Sequence, residues 1–138
     1  MKLLENVLRK KWWLLYCGFI IWMTLANRAT GVRRVELRPF WAIQEMMAEN
    51  PEWLEDMVLY LENILLFIPF GFLLRENWKR VVVAGLAVSV GIELVQFITA
   101  RGLAELDDVT ANTIGAVIGY LLWKVREKMA DNNKSKKN

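Results

Sequence analysis

At 138 residues the chain has room for about one domain. Its 55% hydrophobic and 12% aromatic content, seven Trp and mean hydropathy of +0.23 point to a membrane protein. The net charge of +3 comes from clusters at Lys2 to Lys11 and Lys124 to Lys137 that flank apolar blocks without forming a continuous basic patch, which excludes nucleic acid as a partner. No His and a single Cys17 exclude an intramolecular disulfide, His-ligated zinc, and Ser-His or Cys-His nucleophiles.

Four apolar blocks predict an all-α polytopic membrane protein, a single domain over 1–138 built as a bundle of four transmembrane helices. The first helix is expected at about 12–27. It follows Lys10 and Lys11 as a signal peptide does, but Trp12, Trp13 and Trp22 suit the aromatic belts of a spanning helix. The apolar run is long for a signal and lacks a convincing cleavage pattern, so it is expected to stay attached, with Cys17 as a packing residue. The loop 28–50 contains Phe40 to Ala48, where Trp41, Met46 and Met47 among polar residues suggest a short helix lying at the lipid surface. Asn50-Pro51-Glu52 is a strong helix start, and the second helix is expected over 51–74.

Two features interrupt that helix. Glu62 and Asn63 lie about three turns in, with Glu55, Glu62 and Leu66 along one side, so that the acid is expected to face other helices. Pro69 before Gly71 is expected to kink the chain. After the basic link 75–80, the third helix (81–100) carries Glu93 and Gln96 three apart on one face. The segment 101–106 turns the chain, Asp107 or Asp108 caps the fourth helix (108–125), and 127–138 forms a polar, frayed cytoplasmic tail. Ala111, Gly115 and Gly119 recur every four residues, and this face is expected to meet protein, which makes it a candidate for contact with a second copy or a partner membrane protein.

Thirteen of the eighteen Lys and Arg fall at the N-terminus, the 75–80 link and the C-terminal tail, which predicts a multi-pass protein of the bacterial cell membrane with both ends cytoplasmic. The buried polar groups then gather toward the outer half. Glu62, Asn63, Glu93, Gln96, Arg101, Asp107, Asp108 and Asn112 form one candidate outward-facing ligand site, because a carboxylate in apolar surroundings needs a partner, water or a proton. The plainer alternatives are that Asp107 and Asp108 are N-caps and that Asn63, Gln96 and Asn112 tie helices together. If the protein is an enzyme, Glu93, Glu62 and Asp108 are its acid-base candidates. No cofactor or metal is assigned, although carboxylates also suit a divalent cation.

The pieces Val35-Glu36-Leu37-Arg38-Pro39-Phe40, Asn63 to Leu74, and Ile92-Glu93-Leu94-Val95-Gln96 with Arg101, Asp107-Asp108, Asn112-Thr113, Gly115 and Gly119-Tyr120 together resemble the VanZ-like family of small bacterial membrane proteins. Glu36 and Arg38 depart from it, standing where that family usually has Asn and an apolar residue. The family is named for a protein associated with teicoplanin resistance. The resemblance implies a cell-envelope role in which the pocket binds or modulates a lipid-linked precursor or a glycopeptide among membrane lipids. An acid-base membrane enzyme and a helper subunit are the competing expectations.

Overall fold

A computed structural model describes residues 2–26, 30–31 and 34–135; Arg28 and Arg33 of the first loop, and 136–138 of the tail, lie outside the described residues. Its elements are α1 (Lys2–Ala26), β1 (Arg34–Glu36), α2 (Trp41–Met47), α3 (Trp53–Leu74), α4 (Trp78–Thr99), β2 (Leu103–Glu105) and α5 (Leu106–Ser135). The short helix in the first loop is present as α2. Polar and apolar side chains are distributed inside out. Asn63, Ser89, Gln96 and Asn112 are buried, whereas Leu65, Val83, Leu94, Ile98 and Leu121 face outward, as expected of a bundle solvated by lipid.

Among the described residues, two helices are long and apolar enough to cross a membrane, α3 and α4, each of 22 residues. The apolar stretches of α1 and α5 are about 15 residues, or roughly 22 Å, against a hydrocarbon core of about 30 Å. Charged turns complete both helices. α1 begins at Lys2 and not near residue 12, and α5 continues to Ser135, so the expected frayed tail is helical through that point. Good helix formers after Trp123 and the Lys124–Glu127 pair at 2.8 Å account for the extension.

Glycine sets the closest helix contact. A Cβ on Gly115 would lie 2.2 Å from the carbonyl oxygen of Ile64, one on Gly119 1.9 Å from that of Ile68, and one on Gly71 1.8 Å from that of Ala116. Backbone therefore rests on backbone along α3 and α5. Gly115 and Gly119 of the Ala111/Gly115/Gly119 face thus meet protein, as expected, and the protein they meet is α3 of the same chain. Around the contact, Phe67, Phe70, Val81, Ile92 and Ala116 form the core with Ile20 of α1.

Helix ends follow local chemistry. Asn50 accepts the Glu52 amide at 3.1 Å, and the helix proper starts at Trp53, slightly later than its Asn-Pro-Glu signal indicates. Asn77 accepts the Arg80 amide at 3.0 Å and starts α4 three residues before the expected position. α3 remains helical through Pro69. Tyr16 donates to the Leu66 carbonyl at 2.7 Å, tying α1 to the turn before that proline.

The two strands depart from the all-α expectation. β1 and β2 pair in parallel with Arg34 opposite Leu103, Val35 opposite Ala104 and Glu36 opposite Glu105. A ribbon this short is marginal alone, and it is held where it rests against the end of the bundle.

Candidate functional site

The helix ends at Ala26, Trp53, Thr99 and Leu106 converge on one end of the bundle, and the carboxylates gather there. α4 ends at Ala100 in the left-handed region (φ 53°), with the Arg101 amide returning to the Gln96 carbonyl at 2.9 Å. The chain then turns through Gly102 (φ 93°) into β2. This turn brings Glu105 back over α4, where the buried Glu93 accepts its backbone N–H at 2.9 Å. Glu93 therefore holds β2 on the bundle, an acceptor's role that a carboxylate performs strongly.

The neighbouring acids hold the first loop in the same way. Asp107 accepts the Phe40 amide at 2.6 Å, and Phe40 is itself left-handed (φ 55°) at the start of α2. Glu105 accepts from Trp41 Nε1 at 3.0 Å. Asp107 thus does more than open its own helix, where its charge also suits the N-terminal dipole. It clasps the Pro39-Phe40 turn, so residues 67 positions apart meet.

Deeper in, the polar side chains tie helix to helix. Asn63 donates to Asp108 at 2.6 Å between α3 and α5, Asn112 to Ser89 Oγ at 2.8 Å between α5 and α4, and Gln96 to the Thr24 carbonyl at 3.1 Å between α4 and α1. Such bonds average below about 1 kcal/mol each in a membrane, and more where one partner is charged. The amide oxygens of Gln96 and Asn112 are buried without a donor among the described residues. Each is a place where an incoming donor offsets a desolvation cost of about 1–3 kcal/mol.

Two sequence-selected residues are not part of this group. Glu62 is exposed, because α3 turns Asn63, Phe67, Phe70 and Gly71 inward, and Glu62 lies about 100° around the helix beside the exposed Leu61 and Leu65. Arg101 is also exposed and donates to the Leu25 carbonyl at 3.0 Å, where a cation suits the end of α1. An acid-base pair of Glu62 with Glu93 therefore has no geometric basis. Glu62→Gln is expected to shift unfolding in detergent by no more than about 0.5 kcal/mol. A loss above about 2 kcal/mol in a denaturant titration would mean that Glu62 contacts another helix.

Other members of the cluster carry weaker signals in the sequence. Ser89 was within reach, since Ser89, Glu93 and Gln96 follow the i, i+4, i+7 spacing of one helix face. Glu105, Trp41, Asp56 and Tyr60 carry no such periodic signal. They surround a cavity of about 10 Å³ with Asp107 and Asp108, space for roughly one water. Among the described residues, no three of these acids come together as metal ligands. Glu36 and Arg38, the two departures from the family pattern, satisfy one another at 3.0 Å. Arg38's side chain, and then its amide, pull the Glu36 carboxyl down to about 2, so it stays ionised at physiological pH.

Beside this cluster lies a groove of about 340 Å³ between the ribbon, α4 and α5. Val35, Leu37, Leu94, Phe97 and Val109 line it, with Glu93 and Glu105 at its edge. The surface of this trough is apolar, while Glu93 and Glu105 turn their carboxylates to the Glu105 amide and to Trp41 Nε1, so the trough can accommodate an apolar tail beside the carboxylate cluster.

Comparison with known proteins identifies the family. A family model described as VanZ/LLP1 matches residues 13–127, which include the ribbon, the clasped turn and all four long helices in whole or large part. The chain is also similar to Protein VanZ of Enterococcus faecium, 29% identical over 133 residues that cover 87% of this chain and 76% of that protein. No solved structure matches it. Because the family match takes in both loops that build the carboxylate end together with the two membrane-length helices, the chain belongs to the VanZ/LLP1 family and is a membrane protein.

Proposed function

We propose that the protein is a four-span membrane protein with both termini cytoplasmic, and that its carboxylate end faces outward to bind or modulate an amphipathic cell-envelope ligand in a teicoplanin-resistance-type role. The observation that carries this reading is the apolar groove lying next to the carboxylate end of the bundle. A lipid-linked cell-wall precursor or a glycopeptide with an apolar substituent fits such a trough, and family membership supports the resistance role. The distribution of Lys and Arg supports the orientation, since thirteen of eighteen lie away from the carboxylate end in sequence. The charged turns that complete α1 and α5 extend those shorter helices toward the membrane surfaces.

An acid-base reaction has less support, since Glu62 points away and Asp108 is engaged by Asn63. Expression in a glycopeptide-susceptible Gram-positive host is expected to raise the inhibitory concentration of teicoplanin several-fold. Glu93→Gln is expected to remove most of that increase at unchanged membrane level, because Gln keeps an acceptor for the Glu105 amide but loses the charge that strengthens its hold on β2, one wall of the groove. Native protein at normal abundance that changes neither susceptibility nor envelope-lipid composition rules the reading out.

A further inference from the structure

We propose that the end of the bundle opposite the carboxylates holds a site for an anionic glycerophospholipid, with the phosphate at Arg9 and Lys10 and an acyl chain along Trp13, Leu14 and Leu73. This rests on the reading of the chain as spanning the membrane. A cleft of about 230 Å³ opens there between α1 and the end of α3.

Its position matches the boundary between solvents. Along α1 the charged turns give way to the apolar segment between Lys11 and Trp12, and along α3 the apolar run ends at Leu74, before Arg75 and Glu76. Both helices therefore change character at the level of the cleft, and the exposed Trp12 and Trp78 lie at the same boundaries, as aromatic belts do. A phosphate at this level keeps its polar head in the interface while its chain follows Leu14 and Leu73 into the apolar region.

The charges are arranged for an anion. Glu76, the one acid lining the cleft among the described residues, is taken by Arg80 at 3.0 Å, and Lys124 by Glu127 at 2.8 Å. Among the carboxylates whose side chains are described, none pairs with Arg9 or Lys10, so the cleft carries two cations against one paired acid. Trp13 lines the cleft with its indole, an apolar surface for the chain with the residue at the depth of an interfacial aromatic. A zwitterionic lipid would bring its own cation beside Arg9 and Lys10 and lose the advantage. Free phosphate shares the anionic chemistry but leaves the apolar wall uncovered.

The test is native mass spectrometry of the full chain, purified in a maltoside detergent and exposed to equal amounts of phosphatidylglycerol and phosphatidylcholine. Phosphatidylglycerol is expected to be retained about tenfold over phosphatidylcholine. R9Q/K10Q is expected to lose most of that preference with its helical circular dichroism unchanged, and millimolar inorganic phosphate is expected not to displace the lipid. Equal retention of the two lipids, an unchanged preference in R9Q/K10Q, or displacement by phosphate overturns the site. Alkaline carbonate extraction separates the two failures: a chain released from membranes ends the spanning reading, whereas a chain that stays integral without lipid preference ends only this site.

Discussion

Gly119→Ala is expected to destabilise the protein by about 3 kcal/mol or more, at the upper end of the overpacking range. The new methyl carbon would lie 1.9 Å from the Ile68 carbonyl oxygen and 2.7 Å from the Phe72 nitrogen. Both obstacles are backbone, so no rotamer change relieves them, and α3 must move away from α5. That movement loosens the packing of Phe67 and Ala116, which are fully buried at the same contact. Gly71→Ala should behave alike, since its methyl meets the Ala116 carbonyl at 1.8 Å. Gly91→Ala is the control: nothing lies within 4 Å of its added carbon, and Ala is the better helix former by up to about 1 kcal/mol. Unfolding in mixed detergent micelles, followed by circular dichroism, should therefore rank Gly91→Ala at or above the native chain and Gly119→Ala far below it. Equal midpoints for the two variants would contradict the α3–α5 contact.

Asp108→Ala should cost about 2 kcal/mol, the largest effect expected outside the glycine contact. Interhelical hydrogen bonds in membranes average below about 1 kcal/mol, but a carboxylate acceptor strengthens them about twofold. Removing the acceptor also leaves Asn63, 8% exposed, with a buried donor to satisfy. Asp108→Asn retains an oxygen for that donor and should cost less than half as much. In a double-mutant cycle with Asn63→Ala, a coupling of about 1 kcal/mol is expected. Additive losses would assign the effect of Asp108 to the start of α5 and not to the bond across helices.

The contrast between neighbours Glu62 and Asn63 shows where reading the chain succeeds and where it stops. Both are costly in an apolar helix, which marks them at once. Which of them turns inward depends on the rotation of α3, and that rotation is set by how closely Gly115 and Gly119 let its backbone approach. The sequence around them is apolar on both sides, so it carries no phase.

Gly115 and Gly119 show the same division. Their spacing announces a close helix contact, and the contact exists. α3 of the same chain makes that contact, brought there by the short connections that return α3 and α5 to neighbouring positions. At the carboxylate end, Glu93, Asp107 and Asp108 could be picked out because charge among Leu, Val and Ile needs a partner. Their partners could not be. The amides of Glu105 and Phe40 belong to loops whose three-residue strands have no alternation to announce them, and their register arises only when residues 69 positions apart, such as Arg34 and Leu103, pair.

Composition and local pattern thus settled the apolar helices, the membrane setting and the end of the bundle at which polar groups collect, since each depends on transfer cost and helical spacing along a short stretch. Folding settled the ribbon, the outward turn of Glu62, the placement of Arg101 at the end of α1 and the groove beside Glu93, because each requires segments far apart in the chain to meet, and the energy of that meeting is written in no single stretch.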